Sequence, residues 1–311
     1  MKKMLGKVYK GRRNGGELEN VIQIEELAHK DTALKRRGLS FWRDRKKKKN
    51  PDNHNLNNHN LDNDNLDNDN LYNGNLINGN HNNHNLSNLL VTLWEPYSMA
   101  SEQYRELRTR MLDASQRDGK RVFLISSALS GEGKTLVAIN LAISLASGLH
   151  ETALLIDADL RNPNVSRVLG LEKEREGLAE YLTYGANLAD FITKTSIHKL
   201  NVITSGQPPE NPSELISSVY MSDLIKEVKH RYDNRFIIID APPLLPVTDS
   251  VVLSSLVDSV IIVVKALSTQ REMVSNAIDK IEKKEKILGL VVNCCKGKTP
   301  YPYYNDQKDK S

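Results

Sequence analysis

From about Leu89 onward the chain alternates two apolar patterns. Short runs without a polar break stand at 122–125, 153–156, 200–203, 236–239, 260–264 and 287–292. Between them lie stretches with helical periodicity, including 135–146, 220–232 and 271–284. A run apolar at every position buries both faces of a strand, which suits a parallel sheet covered by helices on both sides. The pattern therefore predicts an α/β fold, mostly parallel, of roughly 200 residues. Ligands in such a sheet gather at the carboxyl ends of the strands. No run approaches the ~18 apolar residues of a spanning helix, and no apolar segment follows the basic start at 1–10 in the manner of a secretory signal. A cytoplasmic protein is expected.

The first 90 residues follow other rules. Residues 1–50 carry sixteen Lys and Arg against six acids, 51–90 carry none against five, and 91–311 carry 27 against 28. The formal charge of +4 thus belongs to the head, and a nucleic-acid-binding reading of the folded part loses its support. No specific nucleic acid is expected as partner. The head has a basic run at 43–49 behind Phe41 and Trp42, and a short helix is expected over 21–34. Such a stretch suits peripheral contact with an anionic membrane, an acidic polymer or a partner, and equally a solvated tail.

Residues 51–90 hold 17 asparagines and repeat as Asn-Leu-x-Asn-x. A period of five also suits a small β-helix, but one Leu in five buries too little to offset the ordering entropy, which favours a disordered linker. The two cysteines, Cys294 and Cys295, are neighbours and exclude a disulfide scaffold. The organisation predicted is a poorly structured basic head (1–50), an Asn-rich linker (51–90), a nucleotide-binding domain (91–296) and a flexible tail with tyrosines (297–311).

The chemistry begins after the run at 122–125. Ser130-Gly131-Glu132-Gly133-Lys134-Thr135 follows it and opens an apolar helix, the strand-loop-helix setting of a phosphate-binding loop. Backbone amides there cradle phosphate oxygens, Lys134 neutralises the β and γ phosphates, and Thr135 ligates magnesium. Ala128 stands where the usual loop has its first glycine. The next strand ends in Asp157-Ala158-Asp159-Leu160-Arg161, and alternation sets Asp157 and Asp159 on one side of the strand end. Two acids there suit hydrated magnesium and acceptance of a hydroxyl proton. Alternatively Asp157 caps the following helix or pairs with Arg161. A third acid, Asp240, ends the run at 236–239 before Ala241-Pro242-Pro243, the form of a Walker B strand.

Together these motifs, over about residues 95–295, resemble the bacterial protein-tyrosine autokinases of capsule and exopolysaccharide assembly, the CpsD/CapB type, built on a P-loop fold related to MinD and ParA. Gly131 to Thr135 matches that family's loop, Leu154 to Arg161 its second Walker motif, Asp240 to Pro243 its Walker B, and Gly206 to Leu215 a further Pro-rich stretch. Glu102, Arg105 and Arg108 match its Glu-x-x-Arg-x-x-Arg helix.

The resemblance implies a tyrosine kinase using ATP and Mg2+. Lys134, Asp157, Asp159 and Asp240 would be catalytic. Thr135, Asp159 and Asp240 would hold the metal, with Arg161 and Asn293 joining the loop in binding nucleotide. Asp157 is the candidate proton acceptor, and its role is exchangeable with that of Asp159. The resemblance further implies a ring of subunits joined through Glu102, Arg105 and Arg108, and Tyr301, Tyr303 and Tyr304 as phosphoacceptors. It also implies a separate membrane-bound chain-length regulator as activator and a peripheral place at the inner membrane face. The competing reading is a MinD/ParA-like switch ATPase. That class has a signature lysine five residues before the loop lysine, where this chain has Leu129.

Overall fold

The computed structural model describes residues 21–23, 86–171, 176–185, 187–231 and 234–295. Eight strands form one sheet: β1 (Val21–Gln23), β2 (Val122–Ser127), β3 (Thr152–Asp157), β4 (Thr193–Lys194), β5 (Leu200–Ile203), β6 (Arg235–Asp240), β7 (Ser259–Lys265) and β8 (Ile287–Asn293). Their order is β1-β8-β7-β2-β6-β3-β5-β4. Every pairing is parallel except β4 with β5. The helices are α1 (Val91–Trp94), α2 (Met99–Asp118), α3 (Lys134–Ala146), α4 (Val165–Val168), α5 (Leu178–Tyr184), α6 (Pro212–Ile216), α7 (Val219–Arg231), α8 (Asp249–Leu256) and α9 (Arg271–Lys280).

The unbroken apolar runs form strands because both sides of the sheet are covered. Val122, Leu124, Leu154, Ile156, Ile237 and Ile239 face one core with residues of α5, α7 and α8. The intervening Phe123, Ile125, Leu155 and Ile238 face the other with residues of α2 and α3. Each such side chain, fully buried, contributes about 1.5–3 kcal/mol. The two layers thereby fix the register of β2, β6 and β3, since a slip of one residue would exchange the two sets. The register pairs Ile125 with Asp240 and Asp157 with Asp240, so the acidic strand ends lie side by side beside the strand that feeds the loop.

Three boundaries differ from the sequence expectation. Val21–Gln23 is not the start of a helix over 21–34 but a strand on the edge of β8; the rest of that stretch lies outside the described residues. Residues 86–90, assigned to the linker, belong to the fold: Leu90 is fully buried, and the Trp94 indole N–H donates to the Ser87 carbonyl at 2.9 Å. Third, the helix expected over 271–284 stops at Lys280, because Ile281 takes an extended conformation. No helix of the described residues is long and apolar enough to cross a membrane.

Candidate active site

The phosphate loop joins β2 to α3. Gly131 and Gly133 have φ of +79° and +89°, the left-handed region that side chains rarely adopt. At Gly133 a Cβ would also meet Asn293 Nδ2, so a side chain there would have to push the asparagine aside as well as strain the backbone. Gly133 ends the turn as the N-cap of α3, whose first-turn amides have no intrahelical partner and make an anion site. Ser130 and Gly131 are exposed at the crest, whereas Glu132 is buried.

Lys134 opens α3 and turns toward the acids. Its Nζ lies 2.7 Å from Asp159 Oδ2 and 3.9 Å from Asp240 Oδ1, and it also donates to the Thr135 hydroxyl at 3.4 Å. Burial alone would lower the lysine's pKa, but Asp240 and Asp159 outweigh it and hold it above the ordinary value. Burial raises the pKa of Asp157, and the charge of Asp240 raises it further. Asp240 is raised by burial too, against the pull of the Lys134 charge. One cation therefore serves three inward-facing carboxylates.

The three acids are held differently. Asp157 accepts from the amides of Asp159 at 3.3 Å and of Val165, at the start of α4, at 3.1 Å. The Val165 bond ties Asp157 to the start of α4, while the Arg161 guanidinium goes to Asp249 and Ser213. Asp159 accepts from Asn162 N at 3.1 Å besides Lys134. Neither oxygen of the buried Asp240 completes a hydrogen bond. An orphaned carboxylate beside a threonine hydroxyl fits magnesium, which takes one or two protein carboxylates and completes its shell with phosphate and water. Among the described residues no group of three or more His, Cys, Asp or Glu is arranged to hold a metal ion.

Two residues expected on the nucleotide are bonded to protein. Arg161 Nε meets Asp249 at 3.0 Å, and its guanidinium donates to Ser213 Oγ at 2.7 Å. Ser213 in turn donates to Asp249 Oδ1 at 2.5 Å. This triad ties the loop after β3 to α6 and α8. The stretch 206–215 supplies Ser213, but nothing in the pattern singled out Asp249, a nearly buried acid at the start of an apolar helix. Asn293 donates from Nδ2 to the Glu132 carbonyl at 3.0 Å, which places it against the loop backbone.

On α2, the spacing that aligned Glu102, Arg105 and Arg108 is satisfied within the subunit. Arg105 pairs with Glu102 and also reaches the Pro96 carbonyl. Arg108 turns inward to the Ser144 carbonyl near the end of α3, at 2.7 Å. Tyr301, Tyr303 and Tyr304 lie outside the described residues.

Comparison with known proteins agrees with this geometry. Residues 120–289 match the AAA domain family model. The tyrosine-protein kinase YwqD of Bacillus subtilis is 36% identical over 205 residues, covering 66% of this chain and 85% of that protein. The tyrosine-protein kinase CpsD of Streptococcus agalactiae is 34% identical, covering 62% and 82%. The kinase domain of the Escherichia coli tyrosine kinase ETK superposes with a TM-score of 0.62 at 30% identity, covering 69% of this chain and 84% of that one. These relatives support a kinase over a switch ATPase. With an AAA-type core, a phosphate loop backed by three strand-end acids, and kinases matched over most of their own length, the chain belongs to the bacterial tyrosine-protein kinases.

Proposed function

We propose that this kinase transfers the γ-phosphoryl of ATP, bound with magnesium at the phosphate loop, to tyrosines of its own C-terminal tail, Tyr301, Tyr303 and Tyr304, and in this way controls the assembly of a capsular or extracellular polysaccharide. The observation that carries the reading is the convergence of Lys134, Thr135, Asp159 and Asp240 at the ends of three neighbouring parallel strands. Phosphoryl transfer passes through a loose state in which positioning and charge neutralisation supply most of the catalysis. Lys134, already charged and already surrounded by carboxylates, exchanges Asp159 for the phosphates. Thr135, Asp159 and Asp240 would hold the magnesium, which when bound neutralises phosphate charge. Asp157 Oδ1, whose bond from Asp159 N is long at 3.3 Å, takes the tyrosine proton.

A separate membrane-bound regulator as activator, a ring of subunits and a peripheral place at the inner membrane face complete the proposal. The family resemblance supports the first two, and the basic head at 1–50 the third. The test is incubation of the purified full chain with Mg-ATP followed by phosphotyrosine detection. Wild type should label, Lys134→Met should not, and Tyr301/Tyr303/Tyr304→Phe should lose the tail signal. ATP hydrolysis without phosphotyrosine would refute autophosphorylation, and a signal surviving the triple change would move the acceptor elsewhere.

A further inference from the structure

An acid inside a phosphate loop is electrostatically out of place. A carboxylate facing the phosphates would repel them, yet Glu132 stands between the two glycines of the cradle. Its side chain resolves the conflict by turning away from solvent, and the residue is only 3% exposed. Oε2 accepts from the Leu129 amide at 2.7 Å. Oε1 accepts from the Thr269 hydroxyl and, at 3.4 Å, from the Lys265 amide. The Glu132 carbonyl accepts from Asn293 Nδ2 at 3.0 Å. One residue thus gathers donors from the loop itself, from the end of β7 with the turn that follows, and from the end of β8.

We infer that Glu132 is a positioning residue: its carboxylate bolts the phosphate loop to the β7 end and the turn at Thr269, so that the loop amides are already aimed before nucleotide arrives. The inference rests on the reading that this loop binds nucleotide. A loop with two left-handed glycines has unusual freedom to lose, and ordering backbone costs about 1–2 kcal/mol per residue. Bonds that order it in advance remove that cost from binding. The far end of the bolt is itself well tied. Thr269 Oγ1 accepts from Lys265 N at 3.1 Å, and the Ser268 and Thr269 amides donate to the Lys265 carbonyl at 3.3 and 3.1 Å. The turn holds Leu267 at φ +58° and 97% exposed. Loop and turn are therefore tied to each other through Glu132 and Thr269.

The test uses the full chain, with ADP affinity by calorimetry, ATP KM and kcat for phosphotransfer, and amide exchange at Leu129 and Lys265. Glu132→Ala should weaken ADP about tenfold, the worth of one charge-assisted hydrogen bond, and speed exchange at both amides. Glu132→Gln keeps an acceptor for Leu129 and should fall between wild type and Ala. Thr269→Val, remote from the phosphates, should raise Kd and KM about threefold while kcat at saturating ATP holds, a split that general destabilisation would not give. Thr269→Val keeps the test alive if Glu132→Ala fails to fold. Unchanged ADP affinity in folded Thr269→Val and Glu132→Ala would overturn the inference. So would tighter binding by Glu132→Gln, the mark of a carboxylate that faces phosphate. No ADP binding by wild type would overturn the nucleotide reading along with it.

Discussion

Asp258 precedes β7 and fastens the start of the strand that carries the phosphate loop. Its Oδ2 accepts from the amides of Arg121 at 2.9 Å and Val122 at 3.0 Å, its Oδ1 pairs with Lys229 of α7, and its own amide donates to the Val122 carbonyl at 3.0 Å. Asp258→Ala removes three charge-assisted bonds and leaves two strand-end amides without their acceptor. Hydrogen bonds to charged groups are worth about 1.5–3 kcal/mol each, but with the side chain 18% exposed water replaces part of them, so the net loss should be about 2–3 kcal/mol. For a domain of this size that lowers Tm by about 4–12 °C.

The pH dependence has a definite sign. Burial would raise the Asp258 pKa, but the Arg121 amide, the Lys229 ammonium and the Val122 amide outweigh it and hold the carboxyl below its ordinary 3.8. A depressed folded pKa means the stabilisation is complete above the unfolded value and is lost as pH falls through the folded one. Urea unfolding of wild type and variant should therefore show a gap that is constant from pH 7 to about 5 and narrows below about 4. Asp258→Asn, which keeps an acceptor for the amides, should lose about half as much. No gap at pH 7, or a gap that widens on acidification, would refute the argument.

Three further outcomes follow from the same kind of accounting. Arg108→Ala should cost about 1–2 kcal/mol in urea unfolding, because the Ser144 carbonyl near the end of α3 loses a cationic donor; a variant that changes oligomeric mass in light scattering at unchanged stability would contradict the intramolecular role. Arg161→Ala removes the cationic partner of Asp249, whose side chain is 2% exposed, and leaves it the Ser213 hydroxyl; it should destabilise by about 2–3 kcal/mol while lowering kcat, read by unfolding and initial rates, and wild-type values in both would refute the triad. Ile22→Pro removes one donor from the β1 edge strand and should speed hydrogen exchange in β8, with unchanged protection counting against the pairing.

The α/β architecture was legible because short apolar runs alternate with stretches of helical periodicity. Runs such as 236–239 are short and apolar at every position, the pattern of a strand buried on both faces, whereas the run at 136–139 continues into the longer apolar stretch of a buried helix. Lys134, Asp157, Asp159 and Asp240 were legible because each ends or follows such a run, where polarity is otherwise absent. What stayed hidden is what depends on partners far along the chain. Nothing local says that Glu132 turns inward to Thr269, or that Arg161 reaches Asp249, since those contacts exist only once the sheet order has brought the segments together. The edge strand at Val21–Gln23 escaped for a related reason: three residues carry no measurable period, and their conformation comes from the neighbour they pair with. At 86–90 the asparagines of the repeat masked a leucine that is already core.

β8 ends at Asn293, within hydrogen-bonding distance of the phosphate loop, and Tyr301 follows only eight positions later. Fully extended, that chain spans at most about 28 Å. If the tail is the acceptor, as proposed, a tether so short would present its tyrosine to a phosphate loop at an effective concentration of about a millimolar. A free tyrosine peptide must reach comparable concentration to compete for the same site. Under the proposed tail phosphorylation, exogenous substrates would then be phosphorylated efficiently only after the tail had been modified or drawn away.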